Sequence, residues 1–235
     1  VKLLALETAT EACSVALWLD GEVVERFQVA PRRHAELTLP WAGQLLADAG
    51  VARGQLDAIA VGRGPGAFTG VRLAIALAQG MALALDRPLL PVSTLEALAM
   101  RSSGGQVLAA IDARMGEVYV AAYRRRQDGQ ALARQGEEAV LPPIEVRLPE
   151  GAEAWHGVGT GFDAVEGALR QQLGGRLASV AAQELPHAAD VARLAAAAFA
   201  RGESVAPERV EPAYLRNNVA LTLAEQQALR ESRAE

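Results

Sequence analysis

Residues 62 to 70 read GRGPGAFTG, four glycines in nine positions between an apolar run (LDAIAV) and a long apolar stretch (VRLAIALAQGMALAL). Glycine-rich turns that open a helix can cradle a phosphate. A P-loop, however, needs Lys and Ser/Thr after its last glycine, and Val71-Arg72 follow Gly70 here. The dinucleotide fingerprint G-x-G-x-x-G fails as well: counting from Gly62 or Gly64 ends on Ala67 or Thr69. What remains is a strand-to-helix corner built on Gly64, Gly66 and Gly70, with Thr69 expected as the N-cap and Phe68 and Leu73 spaced as a hydrophobic staple. An anion on the free amides of that helix start is the alternative. Metal chemistry finds little support. His34, His156 and His187 are isolated from one another and no H-E-x-x-H occurs. Each reads as a surface or packing histidine.

Composition narrows the field further. The chain has 235 residues, about half of them apolar, enough for one large domain or two small lobes. A net charge of −5 argues against a surface that binds nucleic acid unaided. Arg124-Arg125-Arg126 could touch phosphates, but the run falls on a hairpin, where a solvated turn accounts for it. The single Cys13 excludes an intramolecular disulfide and a cysteine-based zinc site. The N-terminal apolar run stops at Glu7, too short for a signal segment, and no stretch of eighteen residues is free of charges and breakers; the expectation is a soluble, cytoplasmic protein with no membrane contact.

The elements that position these residues emerge when the chain is compared with itself. KLLALETATEACSVALWLDGEVVERFQV reads as a strand ending at Glu7, a second to Leu19, a turn at Asp20-Gly21 and a third strand. VLAAIDARMGEVYVAAYRRRQDGQALARQG repeats the plan, with a strand ending at Asp112, a second through Tyr123 and a turn at Asp128-Gly129. Helical and strand segments follow each copy, so two βββαβα-type lobes are expected to meet at a cleft. The break is placed at the polar, glycine-rich residues 102 to 105: a first lobe over 1–102, a second over 103–220, and a charged tail over 221–235. In the first lobe a helix near 32–49 carries Pro40, which should kink or split it. A helix over about 70–86 follows the glycine corner, then a strand at 89–92 and a helix capped by Ser93. The second lobe should hold helices at 163–173 and 187–201. Asp112, Arg114 and Glu117 could form an ion-pair network at the lobe junction, and the proline-bounded run Glu211 to Asn217 could pin the C-terminal end onto the fold.

The helix after the glycine corner is apolar on nearly every face, which predicts burial all round. Ala76, Gly80 and Ala84 form a stripe of small side chains where another helix can approach closely. Arg72, Leu73 and Leu77 flank it, and the preceding helix contributes Leu37, Trp41 and Leu45 along one face. Packing on their own sheet is one reading of both helices. A protein interface anchored by Trp41 is the other.

The runs ETATEACSVAL, GRGPGAFTGVR, AAIDARMGEVY, GVGTG and EPAYLRNNVA resemble, in order over about residues 2 to 220, the TsaB (YeaZ) family of the bacterial tRNA threonylcarbamoyladenosine system. The resemblance implies a duplicated α/β fold of the actin/Hsp70/sugar-kinase (ASKHA) type. It implies a non-catalytic subunit that activates its paralogue TsaD, the enzyme that transfers threonylcarbamoyl to adenosine 37 of tRNA, with TsaE as third component and tRNA met only through the complex. The two apolar helices are then the TsaD-binding surface, and a homodimer is expected when the chain is alone. In TsaD a comparable segment carries two metal-binding histidines; Thr94 and Leu98 stand at those places here, and leucine cannot ligate. No catalytic residue, no resident metal and no tightly bound cofactor are expected. An ATP-using enzyme is the alternative the resemblance leaves. Glu7 and Asp112 would then face one cleft, Thr8 and Thr10 would form a reduced phosphate loop, and Gly157, Gly159 and Gly161 an adenosine loop, with adenine nucleotide there or at the complex interface; a degenerate cleft is the preferred reading of these residues, and Glu7 and Asp112 equally read as strand-end hydrogen-bond acceptors.

Overall fold

The structure is a computed structural model that describes residues 1–126, 131–151 and 153–216. The turn expected at Asp128-Gly129, Asn217 and the tail at 221–235 lie outside these residues. The first half forms β1 (Lys2–Glu7), β2 (Ala12–Leu19), β3 (Glu22–Val29), α1 (His34–Asp48), β4 (Ala58–Gly62), α2 (Phe68–Leu85), β5 (Leu89–Val92) and α3 (Thr94–Ala99). The second forms β6 (Gln106–Arg114), β7 (Glu117–Arg125), β8 (Leu132–Arg134), β9 (Ala139–Leu141), β10 (Trp155–Val158), α4 (Ala168–Leu173), β11 (Leu177–Ala181) and α5 (Ala188–Ala200).

Two sheets carry the repeat. Their orders are β3-β2-β1-β4-β5 and β8-β7-β6-β10-β11, with β9 also on β7. In each, three antiparallel strands lead into two parallel ones, so β1 corresponds to β6 and β4 to β10. The first hairpin turns at Asp20 and Gly21, both in left-handed conformations that glycine accepts freely and aspartate more readily than most residues. The short parallel strands AIAV and LLPV are apolar in consecutive positions because both their faces are covered. In β1 the pleat separates Leu4 and Leu6, which face α1 and α2, from Leu3 and Ala5, which face α5.

That last contact departs from the expected division. α5 lies in the second half of the chain, yet Ala188, Val191, Ala192 and Ala195 pack with Leu3, Ala5, Ala16, Ala58 and Ala60 of the first sheet. Conversely, Leu95, Leu98 and Ala99 of α3 pack with Val107, Ala109 and Ile111 of the second. The break at 102/103 therefore separates the two sheets, but not the helices that cover them. The physical cause is that each sheet needs both faces covered, and local sequence supplies helices for only one face of the first.

Local expectations also change. α1 runs unbroken through Pro40, which is exposed, so the carbonyl of Glu36 that loses its partner can face water. α2 begins at Phe68 with Ala67 as its N-cap and no side-chain cap; Thr69 is inside the helix and Phe68 is 67% exposed, so neither the Thr69 cap nor the Phe68–Leu73 staple exists. Ser93 does cap α3, accepting from the Glu96 N–H at 3.2 Å. The helix expected at 163–173 is confined to α4, preceded by two short 3-10 turns. α5 is capped from far away: Ser14 Oγ accepts from the Ala188 N–H at 2.9 Å and Glu25 from the Ala189 N–H at 2.9 Å. His187 Nδ1 meets the same Glu25 carboxylate at 2.7 Å while its ring stacks on Phe27. Burial acts to raise the Glu25 carboxyl, but the hydrogen bonds from His187, Ser14 and Ala189 outweigh it and hold it below the ordinary range.

Candidate functional site

The glycine corner is filled by the chain itself. The turn after β1 lies on it: Ala67 N–H donates to the Ala9 carbonyl at 2.7 Å, and Thr8 Oγ1 donates to the Gly70 carbonyl at 2.7 Å. A Cβ at Gly66 would come within 2.4 Å of the Ala9 carbonyl oxygen, and one at Gly70 within 2.0 Å of that of Thr8. Gly64 adopts a left-handed φ of 88° and exchanges hydrogen bonds with Thr94, its N–H reaching Oγ1 at 3.2 Å and its carbonyl taking the Thr94 N–H at 2.9 Å. These glycines are there for close backbone approach.

Behind the corner Glu7 is buried, accepting from the Ala9 N–H at 2.7 Å and from Thr94 Oγ1 at 2.9 Å. Burial raises its carboxyl to about 7, against the opposing hydrogen bonds from Ala9, Thr94 and Thr8. A Cβ at Gly62 would meet its oxygen at 2.0 Å. Glu7 thus faces inward and forms no part of the cleft wall.

The cleft between the lobes, about 920 Å³, is bounded among others by Thr10, Arg32, Arg72, Asp112, Thr160 and Tyr214. Thr10 and Asp112 both line it, whereas Glu7 and Thr8 do not. Asp112 takes the Arg114 guanidinium at 2.9 Å, while Glu117 pairs instead with Arg216. The three glycines read as an adenosine loop have packing partners: a Cβ at Gly157 would strike the Phe162 ring, and at Gly159 or Gly161 the backbone of Ala110. None of the three lines the cleft.

The other surface is α2. Val71, Ala74, Ile75, Ala78 and Ala82 are buried against the first sheet with Ala42, Leu45 and Leu46 of α1. By length and composition α2 alone among the helices of the described residues could cross a membrane, but this buried face packs in a protein core. The opposite face is open, contrary to burial on every side. Ala76, Gly80 and Ala84 are exposed, Leu83 is 65% exposed, and Leu73 and Leu77 are half-buried beside them. A Cβ at Gly80 would meet nothing within 4 Å. Leu37 and Trp41 of α1 are half-buried, Trp41 against the core shared with α2, whereas Leu45, 3% exposed, belongs to the core and not to an interface. Phe68 and Leu83, the most exposed apolar side chains of α2, follow the same helical spacing but were not singled out by the small-residue stripe. Arg72 is held by its own helix and the C-terminal segment: it donates to the Phe68 carbonyl at 3.1 Å and to Tyr214 Oη at 2.6 Å, stacked over Phe68.

The three histidines have local partners. His34 Nε2 lies 2.9 Å from the Thr10 carbonyl, His156 Nδ1 2.8 Å from Ser179 Oγ, and His187 is bound to Glu25. Among the described residues no three His, Cys, Asp or Glu side chains come together as a metal site. Arg124 reaches Glu153 at 3.7 Å, and Arg125 donates to the carbonyls of Gly104 and Ser102.

The fold and these surfaces define a duplicated two-sheet α/β protein whose polar centre is structural and whose open feature is an apolar helix face. The chain matches the family model "TsaD: tRNA N6-adenosine threonylcarbamoyltransferase" over residues 27–223. It is 45% identical over 226 residues to the tRNA threonylcarbamoyladenosine biosynthesis protein TsaB of Escherichia coli K12, covering 94% of this chain and 96% of that one. The TsaB protein of Haemophilus influenzae is 38% identical, with 92% and 94% covered. The solved structure of YeaZ from Pseudomonas aeruginosa superposes with a TM-score of 0.85 at 50% identity, over 91% of this chain and 99% of that one. The chain therefore belongs to the TsaB (YeaZ) proteins within the TsaD family. At the two positions that the resemblance assigns to the transferase's metal-binding histidines, Thr94 bonds Glu7 and Gly64, and Leu98 is fully buried in the second core.

Proposed function

We propose that the chain is a non-catalytic subunit that binds a TsaD transferase through α1 and α2 and is required for its threonylcarbamoyl transfer to adenosine 37 of tRNA. The observation that carries this reading is the open face of α2, with Ala76, Gly80 and Ala84 uncovered and Leu83 standing beside them. Small side chains let a partner helix approach closely, and the large apolar neighbours supply buried area. Trp41, Leu37, Leu73 and Leu77 border the same contact, with Arg72 at its end. In the absence of TsaD the same face would pair two copies about a twofold axis. On this reading the fold is a duplicated ASKHA descendant that kept a binding surface after its chemistry was lost. TsaE joins the larger complex, tRNA is met through the complex, and an adenine nucleotide has room in the cleft or at the subunit interface. The site of action is the cytoplasm.

The test is threonylcarbamoyl transfer in a mixture reconstituted with TsaD, comparing wild type with Ala76→Glu of unchanged circular dichroism, and following TsaD association in the same samples. A glutamate at the centre of a helix–helix contact would be desolvated without a partner, so association and transfer should both be lost. Retention of both overturns the assignment of the interface to α2.

A further inference from the structure

The segment after α5 runs back along α2 and then leaves it. Val205 bridges to Leu89, and Gln79 of α2 donates to the carbonyls of Pro207 at 2.9 Å and Val210 at 3.3 Å. Beyond Val210 the chain crosses between lobes. Ala213 N–H donates to the Arg63 carbonyl at 2.8 Å and Tyr214 Oη accepts from Arg72, both on the first-sheet side. Two residues later Arg216 reaches the β6–β7 hairpin of the second sheet: it donates to the Ala113 carbonyl at 3.2 Å, pairs with Glu117, and lies 3.7 Å from Met115 Sδ. Pro212, Ala213, Tyr214, Leu215 and Arg216 form one wall of the interlobe cleft.

Among the described residues the chain joins the lobes covalently in two other places, between β5 and β6 by way of α3, and between β11 and α5. Arg101, just after α3, binds Glu184 at 3.0 Å and Asp190 at 3.6 Å, tying those two connections to each other as one hinge. Residues 211–216 make a third crossing, and Arg216 carries its hydrogen bonds to the second lobe. Tyr214 remains 59% exposed and the Arg216–Glu117 pair is partly solvated, so each contact is of modest strength and can be released without unfolding either core.

We infer that residues 211–216 are a latch that holds the interlobe cleft closed, with the Arg216–Glu117 pair as its catch. Release at Arg216 leaves the two lobes joined by the connections that Arg101 pins, by α3, which packs in both cores, and by Glu138, which binds Arg63 and Ser93; about that side they can open. The latch operates in the isolated chain, whatever partner α2 meets.

The test is single-molecule energy transfer between dyes on Glu22→Cys and Gln171→Cys, exposed positions on the two lobes, at a dilution where copies do not pair; Cys13 is buried and stays unlabelled. Arg216→Glu and Glu117→Arg should each move the transfer peak to lower efficiency, and the two exchanges together should return it to the wild-type value. A wild-type peak in both single variants overturns the latch, as does an opening that the double exchange leaves unrepaired.

Discussion

Replacing Glu7 by glutamine should make the protein more stable above neutral pH and leave it nearly unchanged in mild acid. The carboxyl is buried in the folded state with three opposing hydrogen bonds, and its pKa rises from 4.5 to about 7. Below pH 4.5 the group is protonated in both folded and unfolded chains and contributes no difference. Between 4.5 and 7 the unfolded chain releases a proton that the folded chain keeps, so stability falls as pH rises through this window. Above 7 the folded state carries the whole cost of a buried charge. At about 1.36 kcal/mol per pH unit that cost is about 3 kcal/mol. Glutamine keeps the acceptor for the Ala9 N–H and turns an amide N–H toward Thr94 Oγ1, which has a lone pair free beside the Gly64 N–H it already accepts. Urea denaturation of both proteins at pH 5 and pH 8 isolates the effect, because all other titrating groups cancel in the difference. The variant should gain about 2.5 kcal/mol on the wild type between the two pH values, the rest of the cost being already present at pH 5; a gap that does not change with pH would refute the buried-charge account.

Three further outcomes follow from packing and capping. Gly70→Ala drives a Cβ to within 2.0 Å of the Thr8 carbonyl oxygen and should cost about 3 kcal/mol or more by denaturant titration, whereas Gly43→Ala, in α1 with nothing within 4 Å, should gain up to about 1 kcal/mol. Leu45→Ala should destabilise the isolated chain by about 2–5 kcal/mol, while Leu83→Ala should stay within about 0.5 kcal/mol and weaken only association, read by denaturation and analytical ultracentrifugation. Glu25→Gln should lose stability at neutral pH. Since the folded pKa of Glu25 lies below its unfolded value, the wild type's advantage is present above the unfolded value and should vanish as pH falls through the folded one.

The strands, the first hairpin and the repeat were legible because strand periodicity and turn chemistry are local. So was the small-residue stripe of α2, since helical spacing places Ala76, Gly80 and Ala84 on one line. Which face of that helix stays open was not legible: an all-apolar helix reads as buried, and only the sheet beneath it shows that Ala78 and Ala82 point inward while Gly80 and Leu83 do not. Glu7 read equally as a cleft acid and as a strand-end hydrogen-bond acceptor, because strand ends and clefts coincide in such folds; it is the acceptor. Its actual direction depends on Thr94, 87 residues away. The cap of α5 by Ser14 and Glu25 and the Arg216–Glu117 pair were invisible for the same reason: their partners lie about 100 residues or more apart in the chain.

The exchange of α3 and α5 between the sheets orders events during synthesis. One face of the first sheet, including Leu3, Ala5, Ala16 and Ala60, has most of its cover in α5, which leaves the ribosome some hundred residues after the sheet is complete. During that interval a nascent chain carries a finished sheet with one apolar face bare, a state prone to wrong association. A fragment ending at residue 102 would be trapped in that state for good. The two halves of the repeat are alike in plan, but neither can be cut away and expected to fold by itself.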